Sequence, residues 1–201
     1  GVSVERRRLN VQGVVQGVGF RPFVYSLATR HELAGFVSNQ SDGVHIEVEG
    51  SSLSLDAFQS DLRSQPPPLA RIDSLKIDSI PTSGDRQFTI HESAAQLGPS
   101  TPISPDVATC SDCLRELFDP SDRRFLYPFI NCTNCGPRYT IIKDIPYDRP
   151  FTTMAAFPMC AACNAEYHDP RNRRFHAQPN ACPDCGPNVW LYPGGEKSKD
   201  A

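Results

Sequence analysis

The sequence predicts an α+β chain in two parts: a ferredoxin-like βαββαβ sandwich over residues 1–93, then a small region of two repeated four-cysteine modules over residues 110–192. Three observations carry this. Short alternating apolar runs and two helical stripes fill the first part, and it holds no cysteine. All eight cysteines fall between Cys110 and Cys185, in four Cys-x-x-Cys pairs. Between the parts, residues 94–109 are rich in Pro, Ser and Gly and read as a linker.

In the first part, Leu9, Val11 and Gly13 begin a strand, and Phe23, Leu27, Ala28 and Leu33 recur at helical spacing from Arg21 to about Ala34. Phe36 and Val37 open a second strand. In a third, Val44, Ile46 and Val48 alternate with His45, Glu47 and Glu49. Leu55, Phe58 and Leu62 mark a second helix, and Ile72 to Ile80 and Phe88 to Ile90 supply the last strands, one of them an added edge. This order places two helices over one face of an antiparallel sheet.

The segment Val15-Gln16-Gly17-Val18-Gly19-Phe20-Arg21 leaves the first strand and enters the first helix. Backbone N–H groups at a helix amino terminus lack intrahelical partners and sit at the positive end of the helix dipole, so such a turn can cradle a phosphate. Gly17 and Gly19 let the backbone curl close to an anion, and Arg21 adds a planar fork of donors. A bare Gly-x-Gly is more often a tight turn with a solvated Arg, so the loop needs company.

The second part contains an internal repeat with a constant offset of fifty residues. Cys110-x2-Cys113 precedes Cys132-x2-Cys135 by eighteen residues, and Cys160-x2-Cys163 precedes Cys182-x2-Cys185 by the same distance. Glu116, Asp119, Pro120, Arg123, Arg124, Phe125, Gly136 and Pro137 recur as Glu166, Asp169, Pro170, Arg173, Arg174, Phe175, Gly186 and Pro187. Paired thiolates at this spacing suit tetrahedral zinc with no open coordination position, so two structural ions are expected, within repeats 110–135 and 160–185. Ligation within each repeat and crossed ligation between repeats fit the spacing equally. Gly136 and Gly186 are expected in left-handed conformation, turning backbone N–H groups toward thiolate sulfur. The Arg-Arg-Phe triplets read as cations balancing the charge of a tetrathiolate site rather than as a nucleic-acid surface. Redox chemistry fits poorly with four pairs at duplicated spacing.

Composition sets the limits. The chain has 201 residues, 39% of them hydrophobic, and a formal charge of −3, so no strong overall pull toward nucleic acid or anionic membrane exists. No stretch approaches the roughly 20 apolar residues of a membrane span. Clustered cysteines without a leader imply a cytoplasmic protein. Residues 193–201, a polar Gly-containing run, look like a hinge to further domains.

The phosphate loop, together with Gly35-Phe36-Val37-Ser38-Asn39-Gln40-Ser41-Asp42-Gly43, strongly resembles the acylphosphatase signature. That resemblance implies that the loop Gln16 to Phe20 binds phosphate, that Arg21 clamps it, and that Asn39 orients the attacking water, with the site complete inside residues 1–93. On residues alone, Asn39 is also an ordinary turn-former before Asp42-Gly43.

The whole chain, through Tyr127-Pro-Phe-Ile-Asn-Cys-Thr-Asn-Cys-Gly-Pro-Arg138, Tyr147-Asp-Arg-Pro-Phe151 and Arg173-Arg-Phe-His-Ala-Gln-Pro179, resembles HypF-type hydrogenase maturation carbamoyltransferases. The resemblance implies that carbamoyl phosphate is hydrolysed here, and that domains beyond this chain use ATP to reactivate the carbamate. A HypE-type partner would receive the carbamoyl group on a thiol, on the way to a cyanide ligand of NiFe hydrogenase. The alternative is a stand-alone acylphosphatase joined to a zinc-dependent protein- or nucleic-acid-binding module.

Overall fold

A computed structural model describes residues 3–93 and 101–191. The expected tail at 193–201 and the first half of the expected linker lie outside the described residues. Five strands form one sheet in the order β4-β1-β3-β2-β5: β1 (Val4–Val14), β2 (Ala34–Gln40), β3 (Gly43–Ser51), β4 (Arg71–Ile80) and β5 (Phe88–Ile90). All neighbours pair antiparallel except β2 and β5, which run parallel. Helices α1 (Phe20–Arg30) and α2 (Ser52–Ser64) cover one face, giving the α+β sandwich expected from the periodicities.

The core follows from alternation. Leu9, Val11, Val37, Val44, Ile46 and Val48 point from the sheet into a layer closed by Val24, Leu27 and Ala28 of α1 and Leu55, Phe58 and Leu62 of α2. Each such buried side chain contributes on the order of 1.5–3 kcal/mol, so Phe58→Ala, at 0% exposure, would cost about 3–5 kcal/mol. The Ser51 hydroxyl caps α2 by accepting from Ser54 N at 3.1 Å.

Helix α1 ends earlier than its apolar spacing suggests, at Arg30 instead of near Ala34. Glu32 takes φ 54° while Glu32 N donates to the Thr29 carbonyl and Leu33 N to the Ala28 carbonyl. This Schellman turn stops the helix and buries Leu33 at 4% exposure, so the last apolar residue of the stripe belongs to the cap.

On the opposite face, Arg6 is 5% exposed and pairs with Glu47 (2.9 Å), Glu49 (3.0 Å) and Asp85 (2.7 Å). Arg6 lies opposite Glu49 in the β1–β3 register, which fixes the pair.

The cysteine-rich module is built from two short helices, α3 (Ser111–Phe118) and α4 (Ala161–His168), and single 3-10 turns. Each helix is capped by the sulfur of a cysteine: Cys110 accepts from Cys113 N and Cys160 from Cys163 N, both at 3.5 Å. A second core surrounds the first cysteine cluster, where Tyr127, Ile130 and Met154 are joined by Ala181 of the other repeat. Past the undescribed part of the linker, Thr101 pins the chain to the sandwich, its N donating to the Ser41 carbonyl (2.6 Å) and its Oγ1 to the Gly13 carbonyl (2.8 Å).

Candidate functional site

The phosphate loop runs from the end of β1 into α1. Gly17 and Gly19 take φ 71° and 76°, the left-handed backbone that a side chain disfavours. Gly19 caps α1 without a side-chain hydrogen bond, leaving the N–H groups of the first turn free of intrahelical partners. Val15, Gly17, Gly19, Phe20, Arg21 and Asn39 line one narrow cavity of about 30 Å³. The loop and Asn39, 18 residues apart in sequence, therefore converge as the signature implies.

Two of the six expected loop residues turn away from this cavity. Val18 is 2% exposed and joins the apolar core. Gln16, 1% exposed, is a strut: its Nε2 donates to the carbonyls of Gln40 (2.6 Å) and Gly43 (3.0 Å), and its Oε1 accepts from Tyr147 N (2.8 Å). In one orientation the Asn39 amide donates to the Tyr147 carbonyl at 3.5 Å. Turned over, its oxygen accepts from Nη2 and Nε of Arg21 at 3.3 Å each, and a guanidinium beside a carboxamide selects that orientation.

The site is not confined to residues 1–93. The other wall of the cavity comes from the cysteine-rich module, with Asn131, Thr133, Tyr147, His176 and Gln178. At Gly17 an added Cβ would stand 2.7 Å from Pro137 Cβ and 2.9 Å from the Tyr147 ring. Asp148 pairs with Arg21 at 2.5 Å and accepts from Ser93 N at 3.1 Å. Beyond this pair lies an open cleft of about 460 Å³ between Ile90–Ser93 and α4, sharing Arg21, His176 and Gln178 with the cavity. Burial, with Arg21 nearby, pushes the His176 imidazole down to about 3, so it is neutral.

Sequence reasoning missed Tyr147, Asp148 and His176, though each sits in a segment that carried the family resemblance. A further signal lay in the repeats, which differ where this wall is built.

The eight cysteines form two clusters, Cys110-Cys113-Cys132-Cys135 and Cys160-Cys163-Cys182-Cys185, so ligation falls within each repeat. All eight are free of disulfides. Sulfur atoms about 2.3 Å from a tetrahedral zinc stand about 3.8 Å apart. The observed separations are 3.6 Å (Cys110–Cys132), 3.9 Å (Cys132–Cys135), 3.8 Å (Cys160–Cys182), 3.7 Å (Cys182–Cys185) and 3.6 Å (Cys163–Cys185), so both clusters fit zinc.

The paired arginines balance these clusters, but each pair serves the other repeat. Arg123 and Arg124 reach Cys163 Sγ (3.3 and 3.5 Å) and Glu166 (2.7 and 2.6 Å). Arg173 reaches Cys132 Sγ (3.3 Å) and, like Arg174, Cys113 Sγ (3.5 and 3.7 Å) and Glu116 (2.9 and 2.6 Å).

The glycines after the clusters depart from expectation. Gly136 has φ 72°, but Gly186 is not left-handed; a Cβ there would collide with the Tyr127 hydroxyl, so its need is space. Their N–H groups bond the carbonyls of Thr133 (3.3 Å) and Cys182 (2.8 Å) instead of sulfur.

Residues 7–90 match the acylphosphatase family, and residues 109–142 and 159–192 match the HypF finger. The carbamoyltransferase HypF of Rhizobium leguminosarum bv. viciae is 54% identical over 152 residues, covering 76% of this chain and 20% of that protein. This chain thus spans about a fifth of the length of such relatives. The acylphosphatase of Mannheimia succiniciproducens is 43% identical over 84 residues, 41% of this chain and 90% of its own length. A crystal structure of full-length HypF in the phosphate- and nucleotide-bound form superposes with a TM-score of 0.88 at 52% identity, covering 92% of this chain and 25% of that one.

Proposed function

This chain belongs to the HypF family, with an acylphosphatase module and paired HypF fingers, and from that premise we propose that it hydrolyses carbamoyl phosphate at the loop of Gly17 and Gly19. The observation that carries this reading is the convergence of the loop, Arg21 and Asn39 on one cavity at the amino terminus of α1.

The phosphoryl group is held by the free N–H groups of the loop and by the Arg21 fork, which offset the charge on its equatorial oxygens. Asn39 holds a water in line with the bond to be broken. Water oxygen bonds to phosphorus, the bond from phosphorus to the acyl oxygen breaks, carbamate leaves with that electron pair, and the water's proton passes to phosphate or solvent. Such a reaction needs positioning and charge stabilisation, not a side-chain nucleophile.

The two cysteine clusters hold one zinc each as structural ions, within an assembly of residues 110–191 that closes over the sandwich of residues 3–93. Zinc supplies cross-linking of four thiolates and no open position for substrate. Reduced thiolates suit the cytoplasm, and no described helix is long and apolar enough to cross a membrane. In the wider HypF protein the carbamate would be reactivated with ATP and passed to a HypE-type acceptor, steps that belong to segments outside this chain.

Phosphate release from carbamoyl phosphate tests the reading. The full zinc-loaded chain should release phosphate, and Arg21→Ala should lower kcat/KM by about 100-fold or more. Undiminished release by the variant would overturn the assignment.

A further inference from the structure

The cavity over the phosphate loop has one wall from the acylphosphatase module and one from the fingers, and most polar groups of the finger wall are already engaged. Gln178 Oε1 accepts from Arg149 N at 2.8 Å, and its Nε2 donates to the His176 carbonyl at 2.8 Å. Thr133 Oγ1 donates to the Arg173 carbonyl at 3.0 Å, and the Tyr147 hydroxyl accepts from Arg138 N at 3.4 Å.

Two side chains of this wall keep an acceptor in hand. Asn131 is 5% exposed, and its side-chain oxygen is buried without a hydrogen-bond partner. The His176 ring makes ring contacts with Tyr167 (4.8 Å) and Phe175 (4.7 Å) and no hydrogen bond among the described residues. A neutral imidazole offers one lone pair, and its burial beside Arg21 keeps it neutral. The Asn131 oxygen, buried and unpaired, is costly to retain and so calls for a ligand that brings a donor, while the partly buried His176 offers a second acceptor on the same cavity wall.

The duplication shows that the finger fold requires neither residue. Fifty residues away, the sister repeat has Ala181 where the first has Asn131. Likewise the first repeat has Leu126 where the second has His176, and the two share a left-handed backbone, φ 55° and 53°. The polar pair is therefore confined to the surface that faces the phosphate loop. Leu126, its apolar counterpart, is 62% exposed and faces no such site.

Two acceptors opposite a phosphoryl-binding loop match an acyl group bearing two N–H donors. We propose that Asn131 and His176 are specificity-determining residues that accept hydrogen bonds from the amino group of carbamoyl phosphate. They would then favour it over acetyl phosphate, in which a methyl group stands in the same place. The inference rests on the acylphosphatase reading above, and it adds a role for the fingers in choosing the acyl group.

The test compares kcat/KM for carbamoyl and acetyl phosphate, by phosphate release, in the full zinc-loaded chain and in His176→Leu, Asn131→Ala and the double variant. Each substitution imports the residue that the sister repeat already accommodates. The unaltered protein should prefer carbamoyl phosphate by at least about 10-fold. Each single variant should lose about 10-fold on carbamoyl phosphate with acetyl phosphate turnover retained, and His176→Asn, which restores an acceptor and tolerates positive φ, should regain part of the preference. Equal loss on both substrates, an unchanged ratio, or no preference in the unaltered protein would overturn the inference while leaving the hydrolase reading intact. Release from neither substrate by the unaltered protein would remove the hydrolase reading itself. Zinc content and the unfolding midpoint identify any variant that fails to fold, and Asn131→Ala and His176→Leu, on separate repeats, supply independent readings.

Discussion

Arg21 and Asp148, 127 residues apart in sequence, meet at 2.5 Å with side chains only 8% and 10% exposed. One is the proposed phosphate clamp; the other arrives on the segment between the two fingers. Asp148 also accepts from Ser93 N at 3.1 Å, so a single carboxylate ties the finger module to both ends of the acylphosphatase module. An incoming phosphate dianion must share or replace this carboxylate, because both seek the same guanidinium.

That competition makes Asp148→Asn informative. Without phosphate, the variant leaves Arg21 buried and without its counter-charge, a loss of about 3–5 kcal/mol for comparable buried pairs. Phosphate supplies the missing charge. Inorganic phosphate should therefore raise the Tm of Asp148→Asn more than that of the unaltered protein. Equal shifts in the two proteins would show that the carboxylate and phosphate do not compete.

Arg21→Lys should fail as a phosphate clamp almost as badly as Arg21→Ala, because an ammonium is a point charge and cannot hold Asn39, Asp148 and a phosphoryl group at once. Asn39→Ala should act differently, lowering kcat with phosphate affinity largely kept. Steady-state kinetics with phosphate as a competitive inhibitor separates the two, and equal losses of phosphate affinity would remove the water-positioning role from Asn39.

The crossed arginines make the two zinc sites interdependent. Arg124 is 2% exposed, bonds Glu166 beside the second cluster, and also donates to the Ala181 carbonyl at 2.8 Å. Arg174 is 4% exposed, bonds Glu116 beside the first cluster, and donates to the Asn131 carbonyl at 3.0 Å. A view from sequence spacing expects one Cys→Ser change to release one ion. The interlock predicts that Cys113→Ser weakens both, so that graded chelation releases the two ions together. Stepwise loss of one ion with the other retained at full affinity would contradict it. Because Asn131, Tyr147 and His176 complete the loop cavity and Asp148 holds Arg21, metal loss should also impair phosphate release, contrary to what a site contained in residues 1–93 would show.

The sandwich was legible because its information is local. Leu55, Phe58 and Leu62 declare a helix by spacing, and Val44, Ile46 and Val48 declare a half-buried strand by alternation. The loop at Gly17 and Gly19 stood out only in company, because two glycines and an arginine at a strand-to-helix turn also make an ordinary tight turn, and it was the Asn39 segment that completed the signature. The metal clusters were legible as residue sets, but their ligation within repeats required the fold. Asp148 and His176 were not legible by pattern: an Asp among prolines and aromatics reads as a turn residue, and no periodicity reports which loop it will face. Their roles arise from docking one module on another, which sequence spacing does not encode. Glu32 misled for a related reason, since a non-glycine residue at positive φ gives no compositional sign of a helix end.

His176 gives a prediction about pH whose sign is fixed by the two states. In the unfolded chain its imidazole titrates near 6.5, whereas in the folded protein burial, then the positive charges of Arg21 and His168, push it down to about 3 despite the opposing Asp148. Between these values the unfolded chain binds the extra proton. Stability from this residue is therefore fully present above pH 6.5 and is lost as pH falls through that value, by up to about 1.4 kcal/mol for each unit. Other groups also respond to acid, above all the zinc-bound thiolates, so the comparison must be with a variant that keeps them. His176→Leu removes the titrating ring and places there the side chain that Leu126 carries at the same backbone angle. Denaturant unfolding of zinc-loaded protein from pH 7.5 to 5.5 should show the unaltered protein losing about 1.4 kcal/mol more than His176→Leu, roughly three quarters of it below pH 6.5. Parallel curves across that range would mean that the imidazole is as free to take a proton in the folded site as in the unfolded chain. Below pH 6.5 it would then sit there mainly as a cation beside Arg21, unable to accept from an amino group.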